Sequence, residues 1–162
     1  MIRIEKAGIR DIPLIHQLAE NIWPPAFAHI LSPSQISYMM DMMYRIDVLE
    51  KQMQENHTFL VFYHHNEPGG YAAYAPKEEN VFKLHKIYLA QDLQGRGFGK
   101  AFMQDVIERV QKEGASILEL NVNRYNPAVK FYEKQGFSVC EAVDIPIGEG
   151  YFMNDYVMRK LL

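Results

Sequence analysis

The stretch Val81–Glu113, VFKLHKIYLAQDLQGRGFGKAFMQDVIERVQKE, decides how this chain is read. Phe82 to Leu89 is apolar, aromatic and β-favouring, and Ala90-Gln91-Asp92 interrupts it, which predicts a strand. Farther on, Phe98, Phe102, Met103, Val106, Ile107 and Val110 recur at helical spacing with Gln104, Asp105, Glu108 and Arg109 between them. The glycines therefore stand where a strand hands over to a helix N-terminus. Backbone amides there lack intrahelical partners, and the helix dipole adds partial positive charge. Gly95, Gly97 and Gly99 present no side chain, so a phosphate has room to approach the amides, and Arg96 and Lys100 add cations. The stretch predicts an anion-binding turn suited to a diphosphate. An ordinary glycine-rich turn is the alternative.

Two familiar phosphate loops fail on the letters. A dinucleotide fingerprint needs G-x-G-x-x-G, but Gly95 and Gly97 are followed by Phe98, Gly99 and Lys100. A Walker loop fails at Gln94 and at Ala101. The pattern present is Q-x-x-G-x-G, as Gln94-Gly95-Arg96-Gly97-Phe98-Gly99, directly after Ile87-Tyr88-Leu89. It resembles the acetyl-CoA-binding motif of the GNAT acetyltransferase superfamily. A second segment, Asn126-Pro127-Ala128-Val129-Lys130-Phe131-Tyr132-Glu133-Lys134-Gln135-Gly136-Phe137, reads as a short helix with a polar cap, proline at its first position and glycine past its end. It resembles the second GNAT signature, N-x-x-A-x-x-F-Y-x-x-x-G-F, in the family's order. Together the likeness covers about Val81 to Leu162; the N-terminal third matches in element order only.

The resemblance implies one GNAT domain over residues 1–162. Its fold is α+β: a twisted, mostly antiparallel mixed sheet with a splayed parallel strand pair and helices on both faces. Strands 81–89 and 116–122 would be the parallel pair, with acetyl-CoA lying in the V between them. Ile87, Tyr88 and Leu89 would pair with the pantetheine arm. Gln94, Gly95, Arg96, Gly97, Phe98, Gly99 and Lys100 would hold the pyrophosphate, and Asn126, Pro127, Tyr132 and Lys134 would complete the cofactor contacts. Tyr132 would also be catalytic, protonating the leaving thiolate: a phenol near ~10 can serve a thiol near ~8.5. A core tyrosine beside Phe131 is the alternative.

Composition bounds the rest. The chain has 162 residues, 48% hydrophobic and 23% charged, enough for one domain with a sizeable core. A net charge of −3 argues against a nucleic-acid surface. The one cysteine, Cys140, offers no disulfide or cysteine-based zinc site and reads as a packed strand residue. The N-terminus lacks the apolar run of a signal peptide and no segment reaches membrane-span length. The expectation is a soluble cytoplasmic protein with neither membrane nor nucleic-acid partner; a homodimer is left open.

Along the chain, Ile2–Ile4 reads as a strand, and Asp11 as the cap of a helix that Trp23-Pro24-Pro25 stops. Ser32-Pro33-Ser34 caps a Met- and Tyr-rich helix, read either as core or as the lining of an acceptor pocket. Asp47 to Glu55 adds helical turns. Thr58–Tyr63 is a buried strand, His64 to Gly69 a hairpin turn, Gly70–Ala75 a strand, and Lys77 to Asn80 a charged turn. Adjacent on a strand, His64 and His65 would point to opposite faces, so no metal is expected. A hairpin with a turn over Asp144–Gly150 completes the sheet.

An amine must lose a proton to attack a thioester. Lys83, His85 and Ile87 fall on one strand face, and Lys83 stands where some relatives carry Glu. That leaves His85 as the candidate base, Glu119 as second choice, and water as the third possibility. Asp144, Glu149 and Asp155 either give the mouth an acidic character suited to a cationic amine or are solvated turn charges. The segments HILSPSQISYMMDMMY (29–44), Phe82 to Leu89 and GEGYFMNDYVMRKLL (148–162) resemble the layout of PaiA-type polyamine acetyltransferases. The implied activity is acetyl transfer from acetyl-CoA to a small-molecule primary amine, by direct attack in a ternary complex. A protein N-terminal or lysine acetyltransferase and a non-catalytic acyl-CoA-binding module are the alternatives.

Overall fold

Two-residue turns set the registers of this sheet. Strand β2 (Thr58–His64) meets β3 (Glu67–Glu78) across His65 and Asn66, whose φ angles of 52° and 65° are those of a tight hairpin turn. β6 (Ser138–Gly148) meets β7 (Tyr151–Leu161) likewise across Glu149 and Gly150, at φ 54° and 78°. The turns are thus shorter than the polar runs in the sequence suggest. Glu67–Gly69, Lys77, Glu78 and Asp144–Gly148 all lie in strands. Because His65 occupies the turn rather than a strand, its ring stands 4.0 Å from that of His64 instead of on the opposite face.

The computed structural model describes all 162 residues. β1 (Ile2–Lys6) pairs with β2, and β4 (Val81–Leu89) and β5 (Ile117–Asn123) complete seven strands in the order β1-β2-β3-β4-β5-β7-β6. Every neighbouring pair is antiparallel except β4–β5. Helix α4 (Phe98–Lys112) buries Phe102, Met103, Val106 and Val110 against one face, where they meet Phe62, Leu84, Leu118 and Met158. α5 (Ala128–Lys134) lies on the same side. The other face of β1–β4 is covered by α1 (Ile12–Phe27), α2 (Pro33–Tyr44) and α3 (Ile46–Gln54), which bring Ile15, Trp23, Met39 and Leu49 onto Phe59, Val61 and Tyr71. Burying each such large apolar side chain stabilises the fold by roughly 1.5–3 kcal/mol. The face of β5, β7 and β6 opposite α4 and α5 is polar and forms a cavity of about 420 Å³ lined by Lys83, Glu119, Asn121 and Arg159. No helix is long and apolar enough to cross a membrane.

Three local expectations are corrected. Helix α1 does not stop at Trp23-Pro24-Pro25 but runs to Phe27. The two prolines cost the helix two amide donors, yet the acceptors they strand belong to Glu20 and Asn21, which are exposed and reach water. Packing of Trp23 on Phe27, with ring centroids 4.2 Å apart, holds the last turn in place. Asp11 does not cap α1 with its side chain; its carboxylate accepts from the Gly8 amide at 2.8 Å and closes the preceding 3-10 turn. Cys140 lies in β6 but is exposed, because β6 is an edge strand. Ser32 caps α2 as expected, accepting from the Gln35 amide at 3.1 Å.

Candidate active site

The parallel pair is short. β4 and β5 pair only from Val81↔Ile117 to Leu84↔Leu120 and then diverge, so β4 from His85 onward has no partner on its β5 side. Its other edge stays paired to β3 as far as Gly70↔Leu89. Ile87, Tyr88 and Leu89 thus carry one backbone edge without a strand partner into a fork, a place for an extended ligand to add itself as a strand.

The glycine turn closes the mouth of this fork. Gly95 and Gly97 have φ of 75° and 82°, and a Cβ on either would meet nothing within 4 Å. Both positions therefore need glycine for conformation and face open space. The first bond of α4 runs from the Ala101 amide to Gly97 O, and no amide from Gly95 through Lys100 donates to any group in the chain. A run of free amides at a helix N-terminus is a cradle for a phosphate, which is the fit that a CoA diphosphate requires. Arg96 and Lys100 are exposed beside it, and Arg96 also stands 5.1 Å over the Phe98 ring. Phe98 turns its ring inward against Phe62, leaving only its amide to the cradle. Gln94 works from behind: its side chain donates to Leu89 O at 3.1 Å and ties the turn to the strand end.

Helix α5 forms the other wall. Asn126 Oδ1 accepts from the Ala128 amide at 2.9 Å, so Asn126 and Pro127 start the helix. Phe131 lies 3.4 Å from where a Cβ on Gly99 would sit, which explains the third glycine as a close approach of α5 to α4. Lys134 is exposed at the far end of α5. Tyr132 packs its ring against Phe137 at 5.9 Å, while no hydrogen bond within the chain bears on its hydroxyl. Burial, then Tyr88, pushes its pKa well above that of an ordinary phenol, so it stays protonated. Tyr88 itself, from the other side of the fork, is pushed up to about 12, by burial first, and its ring lies 6.2 Å from Phe27.

The β4 face is rearranged by a bulge. Ala73 pairs with Lys86 and Tyr74 with Leu84, so His85 is an extra residue. Strict alternation is lost: Ile87 packs with the α4 cluster, while Lys86 lies on the other side over the Tyr44 and Phe59 rings. His85 stacks on His57 at 4.6 Å. Desolvation, then His57, Lys83 and Lys86, push its pKa down to about 3. The ring is therefore neutral near pH 7 but a far weaker base than a free imidazole. Glu119 is almost wholly buried and clamped by Lys77 at 2.6 Å and Arg159 at 3.0 Å. Desolvation raises its pKa, but those two cations outweigh it and hold the carboxyl below the ordinary range. Of the three carboxylates considered for an acidic mouth, Asp144 pairs with Arg124 at 2.7 Å and Glu149 sits at the hairpin tip. Asp155 is buried on β7 opposite Asn123.

Helix α2 contributes one face to the core and ties another to the β6–β7 hairpin. Ile36, Met39 and Tyr44 are core, whereas Tyr38 donates to Ile147 O at 2.5 Å and Gln35 to Phe152 O at 2.8 Å. These bonds bracket α2 to the β6–β7 hairpin. Sequence reasoning missed the Tyr88 side chain and the Phe27 ring beside it. No local signal marked them, since Tyr88 is one aromatic residue in an apolar strand and Phe27 is brought to it from α1.

A family model described as an acetyltransferase (GNAT) domain matches residues 28–147. An uncharacterized N-acetyltransferase from Methanocaldococcus jannaschii is 37% identical over 68 residues, 41% of this chain and 30% of that protein. The match thus spans under a third of that relative's length. An uncharacterized N-acetyltransferase from Lactobacillus delbrueckii is 23% identical across 99% of this chain and 98% of its own. Among solved structures, a PaiA N-acetyltransferase from Thermoplasma acidophilum in complex with coenzyme A superposes with a TM-score of 0.84 at 23% identity, over 100% of this chain and 99% of that one. With the glycine cradle, the strand fork and α5 in their places, this chain belongs to the GNAT acetyltransferase family.

Proposed function

We propose that this protein transfers an acetyl group from acetyl-CoA to the primary amine of a small molecule, with a polyamine as the acceptor class to test first. The observation that carries the reading is the row of free amides from Gly95 through Lys100 at the mouth of a strand fork, with Tyr132 of α5 close enough to Tyr88 of β4 to feel its charge. Acetyl-CoA supplies an activated acyl group as a thioester. The cradle amides, with Arg96 and Lys100, hold its diphosphate, and the unpartnered β4 edge at Ile87–Leu89 aligns its arm and polarises the carbonyl with a backbone amide. Asn126, Pro127 and Lys134 flank the arm from α5. Tyr132, kept protonated by burial, gives its proton to the departing thiolate. No acyl-enzyme is invoked. His85 lines the fork as a neutral imidazole and is the weaker acceptor for the amine's proton.

The small-molecule acceptor is supported by the bonds from Tyr38 and Gln35 that close α2 against the hairpin and narrow the entrance. Polyamines are favoured by the likeness of layout to PaiA-type enzymes and by the acidic Asp155 beside the fork. The test is a CoA-release assay with acetyl-CoA against spermidine, spermine, amino acids, aminoglycosides and short peptides with free N-termini. Saturable turnover with a small amine is the expected result. Turnover with peptides alone moves the acceptor to an open groove; tight acetyl-CoA binding with no turnover on any amine makes the chain a binding module.

A further inference from the structure

We propose that Asp155 is the residue that receives the acceptor's ammonium group and takes its proton, so that the general base is supplied by β7. The proposal rests on the acetyltransferase reading and names the group that this reading lacks.

Three charged side chains are buried in this protein: Lys86, Glu119 and Asp155. Glu119 has its two cations, and Lys86 donates to Gln52 Oε1 at 3.0 Å while lying over two aromatic rings. Asp155 alone is left short. Its carboxylate accepts one long bond, from Asn121 Nδ2 at 3.4 Å, and forms no ion pair. Arg124, the nearest guanidinium, bonds instead to the Asp144 carboxylate and to the backbone carbonyls of Val143 and Asp155. A carboxylate buried with so little compensation is strongly unfavourable by itself. A cation arriving from outside removes that cost.

The position fits such a visitor. Asp155 lies opposite Asn123, just past the point where β5 leaves β4. Tyr88 feels its charge from the β4 side, and Tyr132 reaches toward Tyr88 from the α5 side. Acid and base thus stand on opposite faces of the fork. The other charged groups facing Asp155 are Lys83 on β4 and Arg124 after β5, both of which favour its ionised form, as does the Asn121 amide. Desolvation outweighs all three and raises the carboxyl above the ordinary range, making it a better base than a solvated carboxylate.

The protons balance. The bound ammonium gives one proton to Asp155, which later passes it to solvent. The free amine forms the C–N bond to the thioester carbonyl, and the C–S bond breaks. Tyr132 protonates the leaving sulfur and is itself restored by the second proton leaving the nitrogen. The sum is amide, CoA thiol and one released proton.

The test uses the whole chain, acetyl-CoA and whichever amine the wild-type protein turns over; if it turns over none, the acetyltransferase reading itself falls, before Asp155 is examined. Asp155→Asn keeps the shape. It is expected to lower kcat/KM by about 100-fold or more, to abolish the acid limb of the pH profile, and to leave acetyl-CoA affinity unchanged. Its melting temperature should be equal to or above the wild-type value, since an uncompensated buried charge is gone. Turnover within threefold of wild type overturns the proposal. Should Asp155→Asn fail to fold, Asn121→Ala decides: losing the amide that favours the carboxylate must move the acid limb to higher pH, and an unmoved limb overturns the assignment.

Discussion

Alanine at Gly97 separates the cost of a left-handed backbone from the loss of a phosphate cradle, because Gly114 provides the matched control. Gly97 precedes α4 at φ 82° and Gly114 follows it at φ 98°; at neither would a Cβ meet anything within 4 Å. Each alanine therefore carries the same penalty, about 1–2 kcal/mol for the left-handed conformation. For a chain of this size that lowers the melting temperature by about 2–8 °C. The two sites differ in what lies outside them. A methyl at Gly97 intrudes beside the free amides, and displacing a single hydrogen bond to a charged phosphate costs about 1.5–3 kcal/mol, or at least tenfold in affinity. With acetyl-CoA at 100 times the wild-type Kd, ligand should stabilise wild type and Gly114→Ala by about 2.7 kcal/mol; a tenfold weaker site in Gly97→Ala keeps only about 1.4 kcal/mol. Thermal unfolding with and without acetyl-CoA, checked by titration calorimetry, reads the difference. Equal ligand-induced shifts in the two alanine variants refute the cradle.

Three further outcomes follow from the site. Tyr132→Phe should lower kcat by about 10–100-fold with acetyl-CoA affinity and melting temperature nearly unchanged, because no hydrogen bond within the chain bears on the hydroxyl; an unimpaired kcat removes it as the acid. His85 has a folded pKa of about 3, depressed below its unfolded value, so its stabilising contribution is complete above pH ~6.5 and is lost as pH falls toward 3. His85→Gln should therefore flatten the decline in melting temperature between pH 7 and 5 while leaving the acid limb of kcat/KM in place, and a limb that disappears in this variant makes the imidazole the base. Glu119→Gln breaks a buried clamp whose two cations are partly exposed, costing about 3 kcal/mol, with turnover below the melting temperature within a few-fold of wild type; a 100-fold loss in the intact fold would give Glu119 the proton-transfer role instead.

Legibility followed sequence distance. Gly95, Gly97 and Gly99 do their work within one turn, and Asn126 caps a helix two residues away, so both motifs were visible as letters. The clamp on Glu119 joins residues 42 and 40 positions away, and nothing near Glu119 announces Lys77 or Arg159. The bulge at His85 is imposed by β3, so alternation along β4 alone put Ile87 on the wrong face. Proline chemistry misjudged α1 for a related reason: whether Pro24 and Pro25 end a helix depends on whether the carbonyls they strand reach water.

The same distance rule bears on catalysis. An interrupted parallel pair needs only that β4 and β5 stop pairing after Leu84↔Leu120, and this parts the two strands between the α4–α5 face of the sheet and its α1–α2 face. On the proposed function, groups that handle the acyl donor come from segments contiguous with β4 and β5, which is why they form compact motifs. Groups that handle the acceptor must come from whatever covers the second face, here α1, α2 and the β6–β7 hairpin that returns across it. The proposed acid, Tyr132, belongs to the first set and the proposed base, Asp155, to the second. A base contributed by β7 leaves no local pattern, since its burial exists only once the hairpin has folded back and Asn123 stands opposite it. Donor recognition is therefore written in short motifs, and acceptor chemistry in long-range packing.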